Sequence, residues 1–151
     1  MAKHISTVGL NMIKHWEELR LVPYRDEGGI WTYGWGRVKG AAAAAKAGLS
    51  LVESEADDFL RADLGEAERV VNLLVTVSIT QNQFDALGVF VFNVGEGTPQ
   101  HPGFRQSDLL AWLNAGDPRA PDGFAHFCHV DGKVSQGLVN RRASERLLFV
   151  S

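Results

Sequence analysis

Glu17, Asp26 and Thr32 stand nine and six residues apart in the run EELRLVPYRDEGGIWTYGWG, which covers positions 17–36. Two carboxylates and a hydroxyl suit acid–base chemistry when one carboxyl keeps its proton and the other stays ionised. Glycoside hydrolysis needs such a pair: one group protonates the leaving oxygen, the other handles water or the developing cation. Upstream, Val8, Met12, Ile13, Trp16 and Leu19 recur at helical intervals and place Glu17 near the C-terminal end of a first helix. A helix C-terminus carries partial negative charge and disfavours a carboxylate anion, and Glu18 pushes the same way, so Glu17 suits the acid. Asp26, on a glycine-containing turn with solvent access, suits the anion. On spacing alone, solvated surface carboxylates are the plainer reading.

The elements that must hold these groups follow from the same run. Pro23 opposes helix beyond Glu17, and Tyr24-Arg25-Asp26 reads as a strand entering the turn Asp26-Glu27-Gly28-Gly29. The return from Ile30 to Gly36 alternates, with Trp31, Tyr33 and Trp35 on one face and Ile30, Thr32, Gly34 and Gly36 on the other. That second face has little bulk, so the Thr32 hydroxyl is expected to line an open groove while the aromatics anchor the sheet.

The run E-x-L-R-L-x-x-Y-x-D-x-x-G-x-x-T-x-G-x-G is met by Glu17, Leu19, Arg20, Leu21, Tyr24, Asp26, Gly29, Thr32, Gly34 and Gly36. It closely resembles the active-site segment of the phage lysozymes (endolysins, glycoside hydrolase family 24). The resemblance implies that Glu17 is the catalytic acid and that Asp26 and Thr32 together position the attacking water. Two positions depart from the family's pattern: Glu18 stands where it usually has Gly, and Arg37 where it usually has His.

A chain of 151 residues, 45% hydrophobic and 22% charged, fits one globular domain. Its net charge of −3 argues against a general nucleic-acid binder and sits awkwardly with an anionic cell-wall substrate. Arg141, Arg142 and Arg146 nevertheless cluster near the C-terminus. No apolar run is long enough for a membrane span, and positions 1–14 lack a signal-peptide core, so synthesis as a soluble cytoplasmic protein is expected. Cys128 is the single cysteine and is expected to be a small buried residue. The five histidines show neither HxxxH nor HExxH spacing, so no metal or other cofactor is expected, and His101 reads as a surface histidine.

Positions 37–50 hold an alanine run that reads equally as a short helix or a linker. Ser50-x-x-Glu53 has the pattern of a capping box opening a long helix over about 51–75. Asp63 on that helix falls where the family has an Asp paired with the replaced His, which predicts an Arg37–Asp63 ion pair of structural rather than catalytic value. Thr80-x-x-Gln83 opens a second helix, apolar nearly all round, which predicts a buried hub ending at a left-handed Gly95. Asn93 at its end suits either a sugar amide or its own backbone. Positions 96–106 read as a Gly/Pro-rich loop able to rim a cleft. Ser107 should cap a short helix, positions 123–130 should form another, and Asp131-Gly132-Lys133 a tight turn. Trp112, Phe124 and Phe127 read as core.

The segments QNQFDALGVFVFNVG and Gly137-Leu138 through Arg141-Arg142, Glu145 and Phe149 also resemble the family, whose motifs thus run in order over nearly the whole chain. The fold implied is α+β and mostly α: a small N-terminal β-hairpin lobe, a long central helix and a helical C-terminal lobe from about 80 to 151, in one lysozyme-like domain. The implied activity is hydrolysis of the β-1,4 bond between N-acetylmuramic acid and N-acetylglucosamine in peptidoglycan, by inversion. In the family an Arg at the Arg141 position reaches the catalytic Glu; the plain alternative is that Arg141, Arg142 and Arg146 meet murein carboxylates or solvent. Export through a holin-type pore is implied, and nothing demands a dimer. Two other classes remain open: a peptidoglycan-binding module on a lysozyme scaffold, and a transglycosylase forming an anhydro product.

Overall fold

The structure is a computed structural model and describes residues 2–26 and 28–151; Glu27, in the expected hairpin turn, lies outside them. The chain forms two compact units, one of residues 11–65 and one of residues 2–10 with 66–151. Residues 2–10 therefore group with the C-terminal part rather than with the hairpin. The boundaries fall inside two helices, α1 (Thr7–Trp16) and α3 (Glu53–Leu74).

In the smaller unit, β1 (Arg20–Arg25) and β2 (Trp31–Gly34) pair antiparallel, with Tyr24 opposite Thr32 and Arg25 opposite Trp31. The register shifts between Arg20 and Tyr24. Pro23 lies in that interval and has no N–H for the ladder. The alternation expected to reach Gly36 stops at Gly34. There φ is +60°, and with Gly36 at +84° the chain turns so that Arg37 exchanges backbone hydrogen bonds with Tyr33 at 2.9 and 3.0 Å. Positive φ at both positions suits glycine.

The alanine run resolves as a helix, α2 (Ala41–Ala47). α3 begins at Glu53, later than a Ser50 cap would place it, and Glu55 Oε2 accepts from the Val52 N–H at 2.9 Å. A carboxylate three residues into the turn serves the cap position's N–H even when the cap itself lacks a hydroxyl. Ile13, Tyr33, Ala41, Ala56, Leu60 and Leu64 are buried.

The larger unit is built on α4 (Gln81–Val94), buried from Phe84 through Val91 and opened by the expected capping box of Thr80 and Gln83. The Phe90 ring meets Phe124 and Phe127 at 5.3 and 5.1 Å. Gly95 has φ +84° but an extended ψ of 171°, so it is not the left-handed cap expected. The carboxylate of Asp85, fully buried in this apolar helix, accepts from the Ser6 N–H and hydroxyl and from Gln81 Nε2.

Ser107 caps α5 (Asp108–Asn114) as expected. The helix expected over 123–130 is instead a 3-10 turn at Ala120–His126 followed by the hairpin β3 (His129–Val130) and β4 (Lys133–Val134). Asp131 and Gly132, with φ of +49° and +74°, form its two-residue loop. α6 (Gln136–Val150), capped by Ser135, closes the chain. Phe124 is core, but Cys128 is half-buried, and Trp112 is half-buried between the Arg119 guanidinium and the His126 ring. Among the described residues no helix is long and apolar enough to cross a membrane.

Candidate active site

Glu17 follows directly on α1, and its N–H donates to the Ile13 carbonyl at 2.9 Å, so it closes the helix as its sequence position required. Its carboxylate lies against the turn beyond β2: a Cβ built on Gly36 would stand 2.9 Å from Glu17 Oε2. Glu18 behaves differently, with a side chain 74% exposed and paired with Arg20 at 3.0 Å.

Asp26 holds the first turn of the hairpin. Its N–H donates to the Ile30 carbonyl, and its Oδ1 accepts from the Ile30 N–H at 2.8 Å, so the backbone of Ile30 orients the carboxylate. Thr32 sits on the returning strand, directly opposite Tyr24. Its hydroxyl donates to the Ile30 carbonyl at 3.2 Å. With its one proton so used, the hydroxyl oxygen is left to serve any further partner as an acceptor.

The open groove expected beside Thr32 is corrected by the packing. Thr32 is only 5% exposed. A Cβ on Gly34, two residues along the same face, would meet Leu51 Cδ1 at 3.5 Å and Ala56 Cβ at 3.6 Å. That face has little bulk because the start of α3 packs on it.

The predicted Arg37–Asp63 ion pair is present. Arg37 also donates from Nε to the Lys39 carbonyl at 3.1 Å, and its guanidinium lies 4.6 Å from the Phe59 ring centroid. These contacts hold the segment after Gly36 on α3. A further set of contacts there was not anticipated: Asp57 accepts from Trp35 Nε1 at 2.8 Å and from Lys14 Nζ at 2.7 Å. The Lys14 hydrogen bond, helped by the indole N–H and opposed by burial, holds the Asp57 carboxyl below its ordinary value. Glu17, Asp26 and Thr32 all belong to this smaller unit.

Asn93 and Arg141 belong to the larger one. Asn93 is exposed, and its Oδ1 accepts from Arg142 Nη2 at 2.7 Å. Arg141 and Arg142 are buried, which removes solvent as their surrounding; Arg146 is half-exposed and paired with Asp122. Both buried arginines converge on Glu145, Arg141 Nε at 3.3 Å and Arg142 Nη2 at 3.0 Å from Oε1. Burial lifts the Glu145 carboxyl to about 7 against the pull of the two guanidiniums, and brings Arg142 down to about 10. The spacings of three and four residues on one helix are the signal that marks this cluster in the sequence. Among the described residues no group of His, Cys, Asp and Glu is arranged to hold a metal ion.

The chain is similar to known proteins along most of its length. The phage lysozyme family model matches residues 14–145. An endolysin of Bacillus phage PZA is 40% identical over 97% of the chain, which spans 55% of that protein's length. An endolysin of Acyrthosiphon pisum secondary endosymbiont phage 1 is 37% identical over 98% of the chain and 99% of its own length. The muramidase domain of SpmX from Asticaccaulis excentricus superposes with a TM-score of 0.83 at 35% identity, covering 98% of each chain. The chain described here belongs to the phage lysozyme family.

Proposed function

We propose that this protein is an endolysin acting as an N-acetylmuramidase, cleaving the β-1,4 bond between N-acetylmuramic acid and N-acetylglucosamine in bacterial peptidoglycan to lyse the host cell. The observation that carries this reading is the grouping within one unit of a helix-end glutamate against a glycine turn, a turn-held aspartate and a strand threonine. Relatives called endolysin and a structural relative called a muramidase domain support it. In the proposed step Glu17 gives its proton to the leaving glycosidic oxygen. Asp26 takes a proton from a water that Thr32 helps to hold, and that water adds to the anomeric carbon from the opposite face. One bond to oxygen breaks, one forms, and one water is consumed, with inversion. Asn93 and Arg141 are the candidates for substrate binding. The exposed Asn93 keeps its amide N–H groups for a sugar acetamido carbonyl, because its oxygen is engaged by Arg142. Release from the host cytoplasm through a holin-type pore would bring the enzyme to the wall.

Digestion of purified peptidoglycan in water enriched in oxygen-18, followed by mass spectrometry of the fragments, tests the reaction class. The reading expects reducing muramic acid ends with one heavy oxygen per cut. Anhydromuramic ends would make the protein a transglycosylase, and sedimentation with the wall without any fragments would make it a binding module.

A further inference from the structure

Asp57 ties together three elements that meet beside Glu17. Its Oδ2 accepts from Lys14 Nζ at 2.7 Å, and its Oδ1 from Trp35 Nε1 at 2.8 Å. Lys14 precedes Glu17 by one helical turn on α1, and its ammonium also lies 5.0 Å from the centroid of the Trp35 ring. Trp35 is the middle residue of the Gly34-Trp35-Gly36 turn, and Gly36 is the residue against which the Glu17 carboxylate rests. The contacts close a ring that runs from Glu17 back along the helix to Lys14, across to Asp57 on α3, on to Trp35, and through Gly36 to Glu17 again. Every member lies within residues 11–65.

Backbone hydrogen bonds between Tyr33 and Arg37 close this turn, but of its three residues only Trp35 has a side chain that can tie it to another element. The indole ties the turn on the Glu17 side, beside the Arg37–Asp63 pair that follows it, and Asp57 uses both carboxylate oxygens to link the indole to Lys14 on α1. We infer that Asp57, through Lys14 and Trp35, is a positioning residue that fixes the turn wall against the Glu17 carboxylate and so sets the angle of proton delivery to the glycosidic oxygen. This rests on Glu17 as the acid. Asp57 touches no reacting atom itself.

The test compares wild type, Asp57→Ala, Trp35→Phe and the double variant. Trp35→Phe keeps an aromatic ring in the site while removing the N–H and part of the indole's bulk, and it leaves the Asp57–Lys14 pair in place, so it remains informative if Asp57→Ala folds poorly. Release of reducing ends from peptide-free glycan strands gives kcat and KM. Carbon-13 and nitrogen-15 spectra at one pH report the Glu17 carboxyl and the Gly36 amide without any need for turnover. Each single variant should lower kcat by about ten- to a hundredfold, the scale of a misplaced catalytic group. KM should hardly change, the double variant should be no slower than the slower single, and both resonances should move. Undiminished kcat in the single variants, or effects that multiply in the double, would overturn the inference, as would unmoved resonances. Wild type that releases no reducing ends would instead overturn the muramidase reading, and the resonances would still decide the positioning role.

Discussion

Glu17 and Gly36 meet so closely that a methyl group at position 36 would lie 2.9 Å from Glu17 Oε2, nearer than such a carbon sits in real structures. The atom that would have to yield is the free end of a flexible side chain, so relief of the clash is cheap for the fold. It is expensive for chemistry, because what moves is the proton donor itself. Gly36→Ala should therefore lose about 1–2 kcal/mol of stability, from an alanine at positive φ. Its kcat should fall at least about tenfold. Urea unfolding and reducing-end release on the same preparation separate the two effects.

Arg37 and Asp63 support the same turn without belonging to the chemistry. The Arg37 side chain is 13% exposed and stacks on Phe59 as well as pairing with Asp63, so Arg37→Ala removes packing along with a charge-assisted bond. A loss of about 2 kcal/mol is expected for Arg37→Ala and about 1 kcal/mol for Asp63→Ala. A double-mutant cycle in urea should give a coupling of about 1 kcal/mol. Both variants should keep most of their activity at temperatures well below unfolding.

The Asp57 carboxyl, held low chiefly by Lys14, gives stability a pH dependence of known sign. A carboxyl depressed by folding contributes fully above its unfolded value, near about pH 4, and loses that contribution as pH falls through the lower folded value. Wild type should therefore exceed Asp57→Asn in stability by a constant amount between about pH 5 and 7, with the gap closing below about pH 4. The side chain is about a third exposed, which limits the gap to about 1 kcal/mol. Urea midpoints measured across that range check both the sign and the window.

Much of this architecture is legible in the residues. The capping box at Thr80 and Gln83, the apolar run after it and the Asp131-Gly132 turn all act through neighbours in the chain, and each forms where its pattern stands. Reading went astray where a distant element decides. Alternation in β2 told which residues share a face but not that Leu51 and Ala56 pack at Gly34 or that Thr32 is buried. Ser50 looked like the cap of α3, yet Val52 takes that position because Glu55 serves its N–H. Positions 123–130 are apolar enough for a helix, but a short hairpin claims their end. Asp57 resembled any solvated acid on a polar helix face, because its partners Lys14 and Trp35 lie 43 and 22 residues away. The Arg37–Asp63 pair spans 26 residues and was still foreseeable, since the family places an ion pair at the matching positions.

The central claim is that Glu17 donates the proton that breaks the glycosidic bond. Glu17→Gln keeps nearly the same shape and removes only the acid, so turbidity loss of purified peptidoglycan should be rapid with wild type and absent with the variant. Equal clearing by the two proteins would contradict the assignment.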